Sequence, residues 1–148
     1  MNLKARDIMV KEVKSINGDC SVYKAVELLI NSNINCLPVL DRDNCFIGIV
    51  TETDLLYVDK KLNPSSFYAY SEANIPINRR ILKDSINELK SLKISQIMTT
   101  EVVSVDEDAT IEELIDIIVN KGIKTIPVLK NNRLIGIVTR KNILKYYL

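Results

Sequence analysis

The chain repeats itself, and that repetition constrains its fold more than any other feature. Ile47-Gly48-Ile49-Val50-Thr51-Glu52-Thr53-Asp54 returns as Ile135-Gly136-Ile137-Val138-Thr139-Arg140-Lys141-Asn142. In each copy a β-branched run stops at a threonine and a polar segment follows, the pattern of a strand entering a helix. Met9 and Met98 stand 89 positions apart, as do Pro38 and Pro127, whereas Gly48 and Gly136 stand 88 apart. The single deletion therefore falls in the turn between proline and glycine, where a change of length costs least.

Each copy reads β-α-β-β-α. Brief strands are expected at residues 13–16 and 102–105, which are short and β-branched. A helix follows in both. The second opens on a Thr110/Glu113 capping box, carries Ile111, Leu114, Ile115 and Ile118 at helical spacing, and stops at Gly122. The first opens at Ser21 and stops at Asn33, a residue that tolerates the left-handed C-cap glycine usually fills. Leu37-Pro38-Val39-Leu40, a polar turn, and Cys45 to Val50 then read as a hairpin, with the prolines opening their strands. A unit this small buries too little surface alone. The expected fold class is α+β, with two tandem β-α-β-β-α repeats packed as one pseudo-twofold module. Its divisions are 1–56, the first repeat; 57–93, an insertion; and 94–148, the second repeat. In the insertion, breaker clusters around Pro64 and Pro76 enclose Phe67, Tyr68 and Tyr70, and a helix is expected over 79–92 with Leu82, Ile86 and Leu89 on one face. Arg79, Arg80 and Lys83 read as a solvated face.

Composition narrows the function. With 20 basic and 19 acidic residues the 148-residue chain has formal charge +1, so nothing draws it to nucleic acid or a bilayer. No apolar run approaches a membrane span of roughly 18 residues or a signal peptide, so a cytoplasmic location is expected. Cys20, Cys36 and Cys45 are odd in number and lack CxxC spacing, and histidine is absent. Buried free thiols are expected, with no disulfide framework, no metal site and no catalytic residue of the usual histidine-dependent kind.

Tandem units with an Ile-Met near the start, an apolar-Pro-Val strand and a Gly-apolar-apolar-Thr-x-x-Asp exit resemble the cystathionine β-synthase (CBS) domain family, paired as a Bateman module. All three landmarks stand in the first copy, and only the last Asp is replaced in the second. The resemblance implies a regulatory, non-catalytic module that binds an adenosyl ligand, AMP, ADP, ATP or S-adenosylmethionine, in clefts between the repeats. It also implies a disc-shaped homodimer and a regulated protein as possible partner. In the first site, Asp54 would hold the ribose hydroxyls and Thr51 and Thr53 the phosphate, while Ile49, Asn35 and Cys36 line the cleft. Met98, Thr99, Val103, Ile123 and Lys124 of the second copy would face base or phosphate. The second, weaker site would use Thr139, Arg140, Lys141 and Asn142, with an uncharged amide in place of the carboxylate.

The chemistry is independently reasonable. An ionised aspartate can accept from both hydroxyls of a cis-diol, and short β-branched strands offer an apolar slot for a purine. A local explanation competes, because Thr51-x-x-Asp54 ahead of Leu55-Leu56 also satisfies a capping box by itself. In that alternative the chain is a ligand-free dimerisation or interaction module.

Overall fold

A computed structural model describes residues 2–56, 58 and 87–148. The expectations for Phe67, Tyr68, Tyr70, Arg79, Arg80, Leu82, Lys83 and Ile86 lie outside the described residues. Of the helix expected over 79–92, residues 87–91 are helical, and Leu89 is partly buried against the first core.

The first repeat comprises α1 (Ala5–Ile8), β1 (Ile16–Asn17), α2 (Val22–Ser32), β2 (Cys36–Leu40), β3 (Phe46–Thr51) and α3 (Glu52–Leu56). The second comprises a 3-10 turn (Ile94–Gln96), β4 (Val105–Asp106), α4 (Ile111–Asn120), β5 (Thr125–Lys130), β6 (Arg133–Thr139) and α5 (Arg140–Leu144), and the chain ends in a further 3-10 turn, Lys145–Tyr147. The expected caps form. Ser21 Oγ accepts from Lys24 N at 3.2 Å, and Asn33 takes φ 52° and ψ 47° at the end of α2. Thr110 and Glu113 close a reciprocal box, at 3.0 and 3.2 Å, over the start of α4. Gly122 follows that helix at φ 67°, where a side chain would strain the backbone.

Each sheet has three strands, in the orders β1-β2-β3 and β4-β5-β6. The outer pairs are parallel for β1–β2 and β4–β5 and antiparallel for β2–β3 and β5–β6. The brief strands start later than expected, at Ile16 and Val105, because their partner ladders begin only at Val39 and Val128. The prolines do not open their strands either. Pro38 is the third residue of the central strand β2 and faces Ile49. The amide and carbonyl of Ile49 both pair with Thr99 on the far side, so Pro38 sits at a position where β3 requires no bond from it, and β1 has no residue opposite. Pro127 repeats this against Ile137, which pairs with Val10. The missing N–H thus falls where no ladder bond is due.

The two repeats exchange their opening segments. Ala5 N donates to Ala109 O at 2.8 Å and Arg6 N to Glu107 O at 3.1 Å, while Ile94 N donates to Cys20 O at 2.9 Å and Ser95 N to Gly18 O at 3.0 Å. Ala5 and Ile8 lie in the core of the second repeat with Leu114, Ile126, Val128 and Val138. Ile94 and Ile97 lie in that of the first with Val22, Leu37, Val39 and Val50. A buried isoleucine contributes about 1.5–3 kcal/mol of hydrophobic stabilisation, so each core depends on residues from the other copy.

The exchange explains the repeated glycines. A Cβ on Gly48 would stand 2.6 Å from Thr99 O and 3.1 Å from Met98 Sδ; one on Gly136 would stand 2.6 Å from Met9 Sδ and 2.9 Å from Val10 O. Each glycine is the crossing point for the other repeat's Met. The three cysteines, expected to be buried, are half-buried and unpaired. Cys36 lies on β2, and Cys20 and Cys45 lie on loops that flank strands, with Cys20 packed against the first core. Among the described residues no helix is long and apolar enough to cross a membrane.

Candidate functional site

The strand-to-helix junctions of both repeats converge with the opposite repeat's strand entries. At the first, β3 ends at Thr51 and α3 starts at Glu52. The Thr51 N–H donates to Asp54 Oδ2 at 3.0 Å, the Thr51 hydroxyl lies 3.2 Å from the same oxygen, and Asp54 N donates back to Thr51 Oγ1 at 3.2 Å. The capping box read from the sequence is closed. The carboxylate also reaches across the module, since Thr99 Oγ1 donates to Asp54 Oδ1 at 2.9 Å and to Oδ2 at 3.2 Å. Asp54 is only 5% exposed. It stands behind the cleft wall, joining the helix start of one repeat to the opening segment of the other.

In front of it lies a cleft of about 350 Å³, within the range of small-molecule sites. Its walls are Asn35, Cys36, Ile49, Thr51, Glu52 and Thr53 from the first repeat and Gly122, Ile123, Lys124 and Thr125 from the second. The Cys36 thiol is pushed up to about 11, first by burial and then by the Asp54 charge beside it, so it is a neutral wall group at neutral pH.

The duplication produces a second cleft, of about 380 Å³, walled by Val10, Glu12, Val13, Lys14, Ile34, Asn35, Cys36, Thr125, Ile137 and Thr139. Asn35, Cys36 and Thr125 belong to both clefts. They form the partition near the pseudo-twofold axis. Here Asn142 Oδ1 accepts from Thr139 N at 2.7 Å and Thr139 Oγ1 at 2.9 Å. The cap is retained with an amide, but the tie between repeats is not, because Val10 occupies the position matching Thr99.

Seven of the expected first-site residues line one cleft: Asn35, Cys36, Ile49, Thr51, Thr53, Ile123 and Lys124. Four do not. Asp54 lies behind the wall, Thr99 bonds it there, Met98 packs on the first core, and Val103 packs on the second. For the second site, Thr139 lines its cleft; Asn142 is buried at 7% exposure; Arg140 and Lys141 are exposed at the start of α5 outside that wall. Sequence reasoning missed Glu52, Gly122 and Thr125 in the first cleft and nearly all of the second's wall. Shifting Cys36 by the repeat spacing finds Thr125, and shifting Ile123 back by it finds Ile34.

The CBS domain description matches residues 5–61 and 94–148. The chain is 31% identical over 137 residues to the uncharacterised protein YlbB of Bacillus subtilis, an alignment covering 92% of this chain and 76% of that one. Among solved structures it is similar to CBSX2 in complex with AMP, at TM-score 0.72 and 23% identity, covering 97% of this chain and 95% of the other. It is also similar to the CBS domain pair of protein MJ0100 in complex with 5′-methylthioadenosine and S-adenosyl-L-methionine, at TM-score 0.68 and 24% identity, covering 99% and 97%.

Proposed function

The chain belongs to the CBS domain family as a tandem pair, and from that premise we propose that it is a non-catalytic regulatory module binding an adenosyl ligand, AMP, ADP, ATP or S-adenosylmethionine, between its repeats. The observation that carries the reading is the first cleft itself. Two threonines, an apolar strand residue and a shared thiol from one repeat face Ile123 and Lys124 of the other across about 350 Å³. Ile49 and Ile123 suit the faces of a purine, Thr51 and Thr53 offer hydroxyl donors, and Lys124 supplies a cation for phosphate. The AMP, methylthioadenosine and S-adenosylmethionine carried by the two related structures support the same ligand class. Asp54 contributes through this wall, its carboxylate accepting from the Thr51 amide and hydroxyl and so fixing the Thr51 side chain at the cleft edge.

The bridge from Asp54 to Thr99 suggests how binding becomes a signal. A ligand competing for the carboxylate loosens or re-aims the contact joining the two repeats, which shifts their packing, and the regulated protein reads that shift. The site would be cytoplasmic, acting on soluble metabolites.

One observation favours a second reading. An apolar groove formed by Val26, Leu29, Ile30, Leu55, Leu56 and Leu89, with Glu52 at its edge, lies on the helical side of the first repeat, where Ile30 is 75% and Leu56 80% exposed. A module that only dimerises or docks a partner would use that face and keep its threonines as caps. Native mass spectrometry of the purified protein separates the readings, because it reports bound mass and subunit count together. An adenosyl-sized adduct, with a thermal unfolding transition raised by millimolar AMP, ATP or S-adenosylmethionine, is expected. A homodimer that carries no adduct and shifts with none of them refutes ligand binding.

A further inference from the structure

The second cleft is closed by a segment whose copy does not close the first. Val10, Glu12, Val13 and Lys14 stand in the wall beside Thr139. Their repeat-matched residues, Thr99, Glu101, Val102 and Val103, are not in the wall beside Thr51, where Glu52 and Thr53 at the start of α3 stand instead. Both segments make the same journey, from a buried isoleucine in one repeat's core, Ile8 or Ile97, to the first strand of the other repeat, β1 or β4. They are held differently. At the near end the backbone bonds match: Val10 and Ile137 exchange two at 2.9 and 3.0 Å, and Thr99 and Ile49 exchange two at 2.8 and 2.9 Å. Only Thr99 adds a side-chain bond, to the buried Asp54 carboxylate, whereas Val10 has no hydroxyl to offer Asn142 and is 39% exposed. At the far end Val103 packs against the second core. Lys14, in its place, is exposed and held by one bond, its ammonium donating at 2.7 Å to Ser32 Oγ at the end of α2. Between these ends, residues 11–13 form no backbone hydrogen bond among the described residues.

We propose that residues 10–14 are a movable strap across the second cleft, latched to α2 by the Lys14–Ser32 bond, while the matching residues 99–103 are a fixed brace. The physical reason lies in what each motion breaks. Beyond the backbone bonds common to both, lifting residues 99–103 breaks a charge-assisted bond at a buried carboxylate and draws Val103 out of apolar packing, whereas lifting residues 10–14 breaks one solvent-exposed bond at Lys14. Segments that admit ligands are drawn from the least stable parts of a fold. With the strap lifted, the second cleft opens on the side of Val10 to Lys14, and the partition of Asn35, Cys36 and Thr125 becomes reachable from there. With it down, the cleft is closed over what it holds. The first cleft has no such cover among the described residues. The strap's freedom depends on its packing alone, whatever compound the cleft takes.

Hydrogen exchange of the whole chain, read by NMR at single amides, tests this without a ligand. The Val10 and Ile137 amides should show protection factors at least about tenfold below those of Thr99 and Ile49, the factor that a bond to a charged group supplies. Ser32→Ala releases the latch and should lower the Val10 and Ile137 values by a further factor of about two to five, leaving Thr99 and Ile49 within about twofold. Val10→Thr with Asn142→Asp installs the missing tie and should raise Val10 and Ile137 at least about fivefold. Equal protection of the matched amides in the wild-type chain overturns the strap, and that comparison needs no variant to fold. In Ser32→Ala, no fall, or a fall of equal size at all of these amides, overturns the latch. Unchanged protection in a folded double variant overturns the tie as the source of the asymmetry.

Discussion

Replacing Asp54 by alanine and by asparagine separates its structural role from its proposed binding role. Alanine removes the acceptor of the Thr51 amide, the Thr51 hydroxyl and the Thr99 hydroxyl, at 2.9–3.2 Å. Loss of the helix cap costs about 0.5–2 kcal/mol. Loss of a bond to a charged group between the repeats costs about 1.5–3 kcal/mol. Because both share one carboxylate, a combined effect of about 2–4 kcal/mol is expected, or roughly 5–15 °C in Tm for a chain of this size. Asparagine should behave differently. Asn142 already holds the matching cap at 2.7 and 2.9 Å, so Asp54→Asn keeps the Thr51 contacts. The Thr99 hydroxyl can turn to accept from the new amide, and the expected loss is about 0.5–1.5 kcal/mol. Differential scanning calorimetry of both variants, with and without S-adenosylmethionine, reads stability and ligand response together. Asp54→Asn should unfold within a few degrees of wild type and lose most of the ligand-induced shift, whereas alanine loses both. Equal destabilisation by the two variants would refute the equivalence of the two caps. A full ligand shift in Asp54→Asn would remove the carboxylate from the binding account.

Two further predictions follow from the exchange and the partition. Gly48→Ala and Gly136→Ala should each destabilise by about 1–3 kcal/mol, since the new methyl meets a backbone carbonyl at 2.6 or 2.9 Å and cannot be accommodated by a side-chain rotation alone; chemical denaturation measures it, and neutrality at both sites would contradict the crossing of the opening segments. Burial raises the Cys36 thiol to about 11 from its ordinary 9.0, so below pH 9 it is neutral folded or unfolded, and above pH 9 only the unfolded chain ionises it readily. Its contribution to stability should therefore be lost as pH rises from 9 to 11, and the Cys36→Ala variant should show a shallower fall over that window in the same denaturation assay.

Several features are legible in the sequence alone. Ser21, Asn33, Thr110 and Glu113 act within one turn of the chain, so residue type and spacing suffice to place the helix ends they cap. The β-α-β-β-α order and the deletion in the hairpin turn follow from two copies kept in register. Thr51-x-x-Asp54 was equally readable as a cap, and the cap forms. The exchange of opening segments was not legible, although Ile8 and Ile97 are visibly matched, because nothing in an apolar position says which of two similar cores it enters. Pro38 misled for a related reason: it looks like a strand opener until Thr99 is seen to take both backbone groups of Ile49.

The sequence by itself determined that this chain is a duplicated α+β unit of the CBS family, with one carboxylate-bearing junction and one amide-bearing junction. Those properties are carried by residue identity, periodicity and caps that act over three or four positions. Tertiary structure decided that Asp54 stands behind a wall tied to Thr99, 45 residues away, that Asn35, Cys36 and Thr125 serve two clefts, and that each core is completed by the other repeat. Contacts between distant segments depend on how two copies dock, and docking is set by shape and burial across the pair rather than by any local pattern.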